Sequence, residues 1–331
     1  DISMSDYHLI IDGQKVATEE TFAVLNPATE EVLAQCPKAT AEQLDQAVAA
    51  ARRAFPSWSV TADSERARLL HAIADALGAH GEELSKLLTL EQGKPMGGFA
   101  GLGAGFEMGG TLAWCHATAE LGLPVEVVQD NDEARIEVHR KPLGVVGSIT
   151  PWNYPLLIAI WHVMPALRSG NTVVIKPSEY TPLTTLRAVE IINELLPPGV
   201  LNIVTGDGSL GAAMSNHPDI NKIVFTGSTP TGKKIMQSAA GNLKRITLEL
   251  GGNDAAIVLP DTDVAAAAPK IFATALINNG QTCAALKRLY VHEDIYEELC
   301  QALAAIASNV TTGDGSGEVD FGPIQNRAQY E

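Results

Sequence analysis

The 331-residue chain is short of basic residues and of long apolar runs, and each shortage excludes a class of protein. It has 23 Lys and Arg against 39 Asp and Glu, so its formal net charge is −16. An acidic surface repels phosphate backbones and anionic lipids, which argues against nucleic acid and membranes as partners. No apolar run approaches the ~18 to 20 residues needed to cross a bilayer. The first residues also lack a basic segment followed by an apolar one, and we therefore expect a cytoplasmic protein.

Cysteine is also scarce. The four cysteines, Cys36, Cys115, Cys283 and Cys300, form no CxxC pair and are widely spaced. This pattern predicts reduced thiols, with neither a zinc site nor a disulfide framework, and we expect no metal. The 46% hydrophobic content of the chain nevertheless allows a sizeable core, and the length favours two domains.

Hydrophobic periodicity divides the chain into two parts. Short strands separated by turns precede three amphipathic segments, 41–54, 64–79 and 82–91, whose apolar spacing predicts helices. Beyond residue 134, short β-branched runs alternate with helical ones, which predicts a doubly wound parallel sheet in an α/β fold. The predicted buried strands are 171–176, 200–204, 221–227 and 245–250.

Two glycine-rich turns in this region are candidates for binding a phosphate. The segment from Gly206 to Gly211 matches GxGxxG after a strand, but no acid follows at the usual distance, so tight-turn glycines are the alternative reading. The segment from Gly227 to Lys234 resembles a P-loop, except that Lys234 replaces the Ser or Thr that would bind magnesium. A helix N-terminus at this second turn favours a pyrophosphate; the alternative is a mere strand-to-helix connection.

Three residues have side chains suited to catalysis, although each also has a structural reading. Cys283 lies among small and polar residues at a predicted helix start, which would favour its thiolate, whereas an isolated cysteine is usually a small core residue. Glu249 ends an apolar strand, where it either caps the next element or is buried with a raised pKa, as in a general base. Asn153 follows another strand, as a turn residue or as a donor to an oxyanion.

The motifs that contain these residues, taken together, resemble the aldehyde dehydrogenase superfamily. The similarity runs from about residue 8 to the end of the chain. The motifs are TLEQGKP (89–95), KPLGVVGSITPWNYPL (141–156), KPSE (176–179), FTGSTPTGKKI (225–235), LELGGND (248–254) and NNGQTCAALKR (278–288).

The resemblance implies a reaction and a role for each catalytic candidate. An aldehyde would be oxidised to a carboxylic acid with NAD(P)+ through a covalent thiohemiacetal and thioester on Cys283. The Asn153 amide and the Cys283 backbone N–H would hold the oxyanion, and Glu249 would be the general base for hydrolysis.

The resemblance also implies a set of cofactor contacts. It places the phosphate turn at Gly227 and makes the Gly206 turn structural. The carboxylate of Glu179 would accept from a ribose 2′-hydroxyl but repel a 2′-phosphate, so NAD is expected in preference to NADP. The implied cofactor residues are Thr150, Pro151, Trp152, Lys176, Ser178, Glu179, Gly227, Ser228, Leu250 and Gly251.

Further expectations concern the substrate and the domains. Four residues are predicted to line a channel for an uncharged aliphatic or aromatic aldehyde: Met108, Leu157, Trp161 and Thr282. The predicted domains are a cofactor domain (4–122 and 140–250), an oligomerisation hairpin (123–139) and the first part of a catalytic domain (251–331). Because chains of the superfamily continue beyond this point, we expect a truncated form, with a homodimer or homotetramer formed by the full-length protein.

Two alternative functions stay open at this stage. The turn from Gly227 to Lys233 could serve a phosphoryl-transfer enzyme, which would hydrolyse ATP with magnesium. The chain could also be a non-catalytic fragment that binds NAD without turnover. Oxidation of an aldehyde with formation of NADH distinguishes the predicted enzyme from both.

Overall fold

The structure, a computed structural model, describes residues 7–331 and has an α/β fold built on a seven-stranded sheet. The predicted start of the first domain at residue 4 lies outside the described residues. The strands are β1 (Leu9–Ile11), β2 (Gln14–Val16), β3 (Glu20–Leu25), β4 (Val32–Lys38), β5 (Glu126–Asp130), β6 (Arg135–Val138), β7 (Val145–Ile149), β8 (Thr172–Lys176), β9 (Leu201–Ile203), β10 (Lys222–Thr226), β11 (Arg245–Glu249), β12 (Asp254–Val258) and β13 (Leu286–Val291).

Helices connect most of these strands. They are α1 (Ala41–Ser59), α2 (Asp63–Ala79), α3 (Gly81–Gln92), α4 (Ala104–Glu120), α5 (Pro155–Arg168), α6 (Leu183–Asn193), α7 (Gly208–Asn216), α8 (Thr229–Ala239), α9 (Val264–Ala275), α10 (Tyr296–Ala307) and α11 (Arg327–Tyr330). Short 3-10 turns are found at Phe99–Gly101, Ile277–Gly280 and Glu293–Ile295.

The main sheet confirms the prediction of a doubly wound parallel fold. Its strand order is β11-β10-β7-β8-β9-β1-β2, and the five strands from β11 to β9 are parallel. The N-terminal hairpin of β1 and β2 extends the sheet in the antiparallel sense. All four runs predicted to be buried strands are strands of this sheet, and β8, β9 and most of β10 are buried. The expected burial of β11 is wrong, because this strand lies at the edge of the sheet and its residues are half-buried or exposed.

Helices cover both faces of the sheet and divide the hydrophobic core in two. Residues that alternate along a strand point to opposite faces. In β7, for example, Val146 belongs to the core on the side of α5 and α6, whereas Val145 belongs to the core on the side of α1, α7 and α8. Helices α2, α3 and α4 pack behind α5 and α6 in the larger core.

The segment 97–110 contains seven glycines and forms a 3-10 turn followed by the start of α4. The chain passes so close to itself here that any Cβ at Gly103 would collide with the carbonyl oxygen of Pro95. Gly98 has a φ of 69°, which side chains rarely adopt. The glycines therefore allow a close backbone approach that places Glu107 in the first turn of α4.

Two smaller units project from the main sheet. Strands β5 and β6 form an antiparallel hairpin within the predicted range 123–139, with exposed valine and isoleucine side chains. Strands β12 and β13 form a separate parallel pair with α9 and α10, and a small core of their own. The domain boundaries and the use of the hairpin in assembly stay predictions. Among residues 7–331, no helix combines the length and the apolar character required of a membrane span.

Candidate active site

The parallel order of the sheet brings four predicted site segments to one edge. Strands β7, β8, β10 and β11 point in the same direction, and their last residues are in register: Ile149 pairs with Lys176, and Thr226 pairs with Glu249. The segments that follow these strands start with Thr150, Pro177, Gly227 and Leu250. In an open α/β sheet, this carboxyl edge is where ligands bind.

The loop that contains Cys283 is hydrogen-bonded to the residues at the start of α5. The Asn153 side-chain amide donates to the carbonyl oxygen of Gln281 at 3.0 Å, two residues before the cysteine. Tyr154 and Thr282 also join their hydroxyl groups at 3.1 Å. Residues 128 positions apart in the sequence are therefore held together next to the thiol.

Two hydrogen-bond donors beside the thiol are available for a ligand. An asparagine amide has two N–H bonds, and that of Asn153 uses one, toward Gln281. The Asn153 oxygen accepts from the backbone N–H of Tyr154 at 3.0 Å, which fixes the orientation of the amide. The backbone N–H of Cys283 has no acceptor within residues 7–331. These two donors match the predicted oxyanion site.

Cys283 is neither a core residue nor the start of a helix. Cys36 and Cys115 are buried, and burial raises the pKa of each thiol to about 12. Cys283 is partly exposed, in a turn between the 3-10 turn at Ile277–Gly280 and strand β13. The predicted helix start is therefore wrong, because the chain enters a strand three residues later.

The loop after β11 reaches the cysteine turn through glycine. Any Cβ at Gly252 would collide with the carbonyl oxygen of Cys283, so only glycine allows this approach. Gly251 has a φ of 94°, in the region that favours glycine. The LELGG sequence thus links the end of β11, where Glu249 lies, to the nucleophile candidate.

Glu249 differs from both sequence readings. Its side chain is exposed, and it accepts no hydrogen bond from the part of the chain that the structure describes. The expectation of a buried carboxyl group or of a cap is therefore wrong. The physical reason is that β11 is the edge strand of the sheet, with no neighbour on its outer side among residues 7–331.

The turn after β10 has the geometry of an anion site. Ser228 is the N-cap of α8, and its hydroxyl accepts from the backbone N–H of Thr231 at 3.4 Å. Gly227 lies so close over the ring of Phe225 that a side chain would clash with it. Thr229 donates to the carbonyl oxygen of Leu250 at 3.3 Å, which joins this turn to the loop after β11.

The other glycine-rich turn, from Gly206 to Gly211, does not offer a similar site for an anion. Asp207 is the N-cap of α7, and its carboxylate accepts from the backbone N–H of Ser209 at 2.9 Å. A negative side chain therefore occupies the helix end where a phosphate would bind. Gly211 packs instead against the aliphatic chain of Lys176. The contacts favour the structural reading of this motif.

Lys176 and Glu179 fit the adenosine ribose. The Lys176 side chain is buried, and its ammonium donates to the carbonyl oxygen of Pro177 at 3.1 Å and lies 3.9 Å from Glu179. Burial lowers the pKa of Lys176. A buried ammonium with donors to spare, beside a carboxylate that is 40% exposed, suits a pair of ribose hydroxyls. The buried hydroxyl of Thr150 also has no partner among the described residues.

The predicted channel residues are not all in one place. Thr282 lies beside Cys283, and Leu157 is buried in a small cluster with Tyr154. Trp161 is 39% exposed on α5 and packs against Trp114, with ring centroids 5.3 Å apart. Met108 is buried in the main core, near Gly81.

Sequence reasoning missed a buried ion pair under the start of α5. Lys94 and Glu107 are fully buried and bonded to each other. Lys94 belongs to the TLEQGKP motif and Glu107 to the glycine-rich segment 97–110, and the sequence alone assigned a role to neither. A charged residue in an otherwise apolar and glycine-rich segment is the signal that could have found them.

A buried histidine also joins α5 to the cofactor turn. His162 contacts the hydroxyl of Ser148 at 2.8 Å and that of Thr226 at 2.9 Å, directly before Gly227. Burial lowers the pKa of His162 to about 3, so the ring is neutral at physiological pH. The imidazole therefore acts here as a structural link.

Comparison with known proteins places these residues in a family context. A model described as the aldehyde dehydrogenase family matches residues 14–331. A probable aldehyde dehydrogenase from Pseudomonas sp is 44% identical over 337 residues, which cover 99% of this chain and 66% of that protein. Phenylacetaldehyde dehydrogenase from Pseudomonas fluorescens is 40% identical, with 98% of this chain and 67% of that protein covered.

A solved structure supports the same fold. The NAD+ complex of aldehyde dehydrogenase from Bacillus cereus matches with a TM-score of 0.93 and 38% identity, covering 98% of this chain and 67% of that one. The chain spans about two thirds of the length of the curated relatives that it matches.

Proposed function

The chain belongs to the aldehyde dehydrogenase family, and we propose that its carboxyl-edge site oxidises an aldehyde to a carboxylic acid with NAD+ through Cys283. One observation carries the proposal. The Asn153 amide is bonded to Gln281, which places a free N–H donor beside a thiol that lies outside the core. A nucleophile next to prearranged donors is the arrangement needed for attack on a carbonyl group.

The first chemical step forms a bond between the Cys283 sulfur and the carbonyl carbon. The electron pair of the C=O bond moves to oxygen, where the second Asn153 N–H and the Cys283 backbone N–H hold it. Each such donor contributes about 3 kcal/mol to stabilising the charge. When bound, NAD+ supplies an acceptor for the hydride that leaves the same carbon. The product on the protein is a thioester of Cys283.

Hydrolysis of the thioester completes the reaction. We assign the general base to Glu249, which ends β11 and whose exposed carboxylate can take a proton from water. The loop through Gly251 and Gly252 connects it to the cysteine turn. Water adds to the thioester carbon, the C–S bond breaks, and the thiol returns with the acid as product.

The residues at the strand ends support NAD as the cofactor. Lys176 and Glu179 would hold the adenosine ribose, Gly227 and Ser228 the pyrophosphate, and the remaining predicted contacts would line the cleft between them. The carboxylate of Glu179 accepts hydrogen bonds from ribose hydroxyls but repels a 2′-phosphate. We expect Glu179→Gln to raise kcat/KM for NADP relative to NAD, with the exposed Glu194→Gln as the control.

The substrate we propose is an uncharged aliphatic or aromatic aldehyde. Its support is the apolar cluster of Leu157 and Tyr154, because the Tyr154 hydroxyl contacts Thr282 next to Cys283. Trp161, which packs against Trp114, stays a predicted channel residue. The similarity to an enzyme named for phenylacetaldehyde favours the aromatic class. Met108 contributes least, since it is buried in the main core. A cytoplasmic location and a dimer or tetramer formed through the β5–β6 hairpin belong to the same proposal.

The P-loop alternative has no specific support. The Ser228 hydroxyl caps α8, and Lys233 and Lys234 are exposed on that helix, where neither can ligate magnesium. The non-catalytic alternative predicts binding of NAD without turnover and is decided by experiment.

The decisive experiment is a panel of aldehydes with NAD and NADP, followed through NADH absorbance and intact protein mass. We expect Cys283→Ser to abolish the acyl-enzyme and Glu249→Gln to accumulate it, because the thioester forms but is not hydrolysed. Cys300→Ser, which removes an exposed thiol of α10, is the matched control. Full activity in Cys283→Ser would refute the proposal.

A further inference from the structure

The Lys94 and Glu107 pair is buried and has no part in the chemistry described above. The exposed fractions of the two side chains are 1% and 0%, and the ammonium bonds directly to the carboxylate. Replacing a buried pair with apolar residues is often neutral or stabilising, so stability alone does not explain its presence. The other contacts of the two residues indicate what the pair does.

Glu107 caps α5 from a different helix. Its Oε1 accepts from the backbone N–H of Leu156 at 3.0 Å and from that of Leu157 at 3.1 Å. These donors belong to the first turn of α5, where no partner within the helix is available. Tyr154, the residue at the N-cap position, provides no side-chain hydrogen bond to the first turn of the helix. The start of α5 is thus held by a carboxylate from α4.

Lys94 holds the residue that carries the proposed oxyanion donor. Its ammonium donates to the carbonyl oxygen of Asn153 at 3.0 Å and lies 4.1 Å from the centre of the Tyr154 ring. Asn278 donates to the same carbonyl oxygen at 2.7 Å. Burial lowers the pKa of Lys94, whereas the charge of Glu107 raises it.

These contacts fix the backbone that directly follows the Asn153 side chain. The carbonyl group of Asn153 is bonded to Lys94 and Asn278, and the next helical donors are bonded to Glu107. From this backbone the amide donates to Gln281 beside Cys283, and its oxygen accepts from Tyr154. A misplacement of about 1 Å in such a donor can cost about 100-fold in rate.

We propose that Lys94 and Glu107 are positioning residues that set the orientation of the Asn153 amide toward the oxyanion formed at Cys283. The inference rests on the proposed function of Asn153 and Cys283. Lys94 and Glu107 touch neither the substrate nor the reacting atoms, so their effect must pass through Asn153. This dependence makes the proposal testable by coupling between mutations.

The test measures oxyanion stabilisation without turnover. Phenyl trifluoromethyl ketone adds a thiolate to its carbonyl carbon, giving a tetrahedral adduct with a negative oxygen, and ¹⁹F NMR measures the affinity. We expect Asn153→Ala and Lys94→Met each to weaken the adduct, Lys94→Met by about tenfold. In the Asn153→Ala background, Lys94→Met should have no further effect, because the donor that it positions is gone.

Additional variants guard against loss of folding. Glu107→Gln keeps the volume and the acceptor for Leu156 and Leu157 but removes the charge. The double variant Lys94→Met/Glu107→Gln leaves no unpaired buried charge and should fold. Glu91→Gln is the matched control, since it alters a fully buried glutamate that caps α6 and is not bonded to Asn153. We expect it to leave the affinity for the ketone unchanged.

The outcomes separate this inference from the proposed function. Equal affinity in wild type and in the double variant overturns the positioning role, and so does an additive effect of Lys94→Met on Asn153→Ala. Adduct formation by Cys283→Ser would instead overturn the assignment of the nucleophile. With an aldehyde substrate, a positioning role should lower kcat with little change in KM.

Discussion

Helices α5 and α6 are each capped at the N-terminus by a buried glutamate from another helix, but the two helix starts have different neighbours. Glu107 accepts from the first N–H groups of α5, and Glu91 accepts from those of Leu183 and Thr184 at 2.7 and 2.9 Å in α6. Both glutamates are fully buried. Only Glu107 has a cation beside it, the ammonium of Lys94. The difference shows that a buried carboxylate can cap a helix without an ion partner.

Capping alone therefore does not explain why Lys94 is buried beside Glu107, but the other contacts at the start of α5 do. Lys94 also bonds to the carbonyl oxygen of Asn153, whereas the start of α6 carries no residue of the proposed oxyanion site. The absence of a cation has its own consequence at α6: burial raises the pKa of Glu91 to about 7. The Glu107 cap of α5 is thus linked to the candidate site through Lys94, whereas the Glu91 cap of α6 makes the stability of the fold depend on pH.

The largest expected effect comes from breaking the ion pair at α5. Lys94→Met leaves the Glu107 charge buried without its partner, so we expect a loss of roughly 3–5 kcal/mol in the free energy of unfolding. The double variant Lys94→Met/Glu107→Gln should lose less than about 2 kcal/mol, because no unpaired charge stays buried. Urea denaturation followed by circular dichroism measures both. Equal losses in the two variants would show that the pair contributes no charge-specific term.

The second prediction concerns pH and α6. The folded pKa of Glu91, about 7, exceeds the ordinary glutamate value of 4.5, so the folded state binds this proton more tightly. Its contribution to stability is complete below about pH 4.5 and is lost as the pH rises to about 7. The loss corresponds to about 3 kcal/mol. Glu91→Gln cannot ionise and should remove this fall.

His162 also makes the unfolding free energy depend on pH, in the opposite sense to Glu91. The effect of Glu91 is therefore measured as the difference between wild type and Glu91→Gln. The folded pKa of His162, about 3, lies below the ordinary histidine value of 6.5, so its contribution to stability is present above pH 6.5 and is lost as the pH falls toward 3. Unfolding free energies at pH 5 and pH 8 should be compared for wild type, Glu91→Gln and the control Glu82→Gln, an exposed residue of the same helix. An unchanged pH slope in Glu91→Gln would contradict the raised pKa.

Sequence patterns predicted the part of the site that depends on the sheet. Period and β-branched composition identify β7, β8, β10 and β11, and parallel strands bring their last residues to one edge. The positions of Asn153, Lys176 and Gly227 follow from this rule. Family resemblance added Cys283, whose loop lies outside the main sheet and whose position depends on long-range bonds to Asn153 and Tyr154.

What the sequence did not predict depends on packing between distant segments. Local patterns cannot show that Lys94, in the loop after α3, meets Glu107 of α4, or that glycines let the chain pass close to Pro95. The exposure of Glu249 was also missed, because strand composition does not indicate whether a parallel strand lies at an edge. Charged residues inside buried segments are the pattern that deserves a structural check first.

The smallest expected effect tests whether the start of α5 is joined to the cysteine turn by more than Asn153. The Thr282 hydroxyl donates to the carbonyl oxygen of Ile277 at 3.1 Å, so the Tyr154 hydroxyl must donate to Thr282. Burial raises the pKa of Tyr154, which keeps this donor protonated. Tyr154→Phe removes one hydrogen bond and retains the ring near Lys94, so we expect a loss of about 1 kcal/mol in unfolding free energy.

The same variant should weaken the trifluoromethyl ketone adduct by about two- to threefold, a fraction of that 1 kcal/mol. Tyr180→Phe is the matched control at the other helix, because Tyr180 precedes α6 and is 43% exposed. If the two variants bind the ketone equally well, the phenol hydroxyl does not transmit the position of α5 to the thiol. The position of α5 would then affect Cys283 through Asn153 alone. The only functional difference between the starts of α5 and α6 would be the hydrogen bond from Lys94 to the carbonyl oxygen of Asn153.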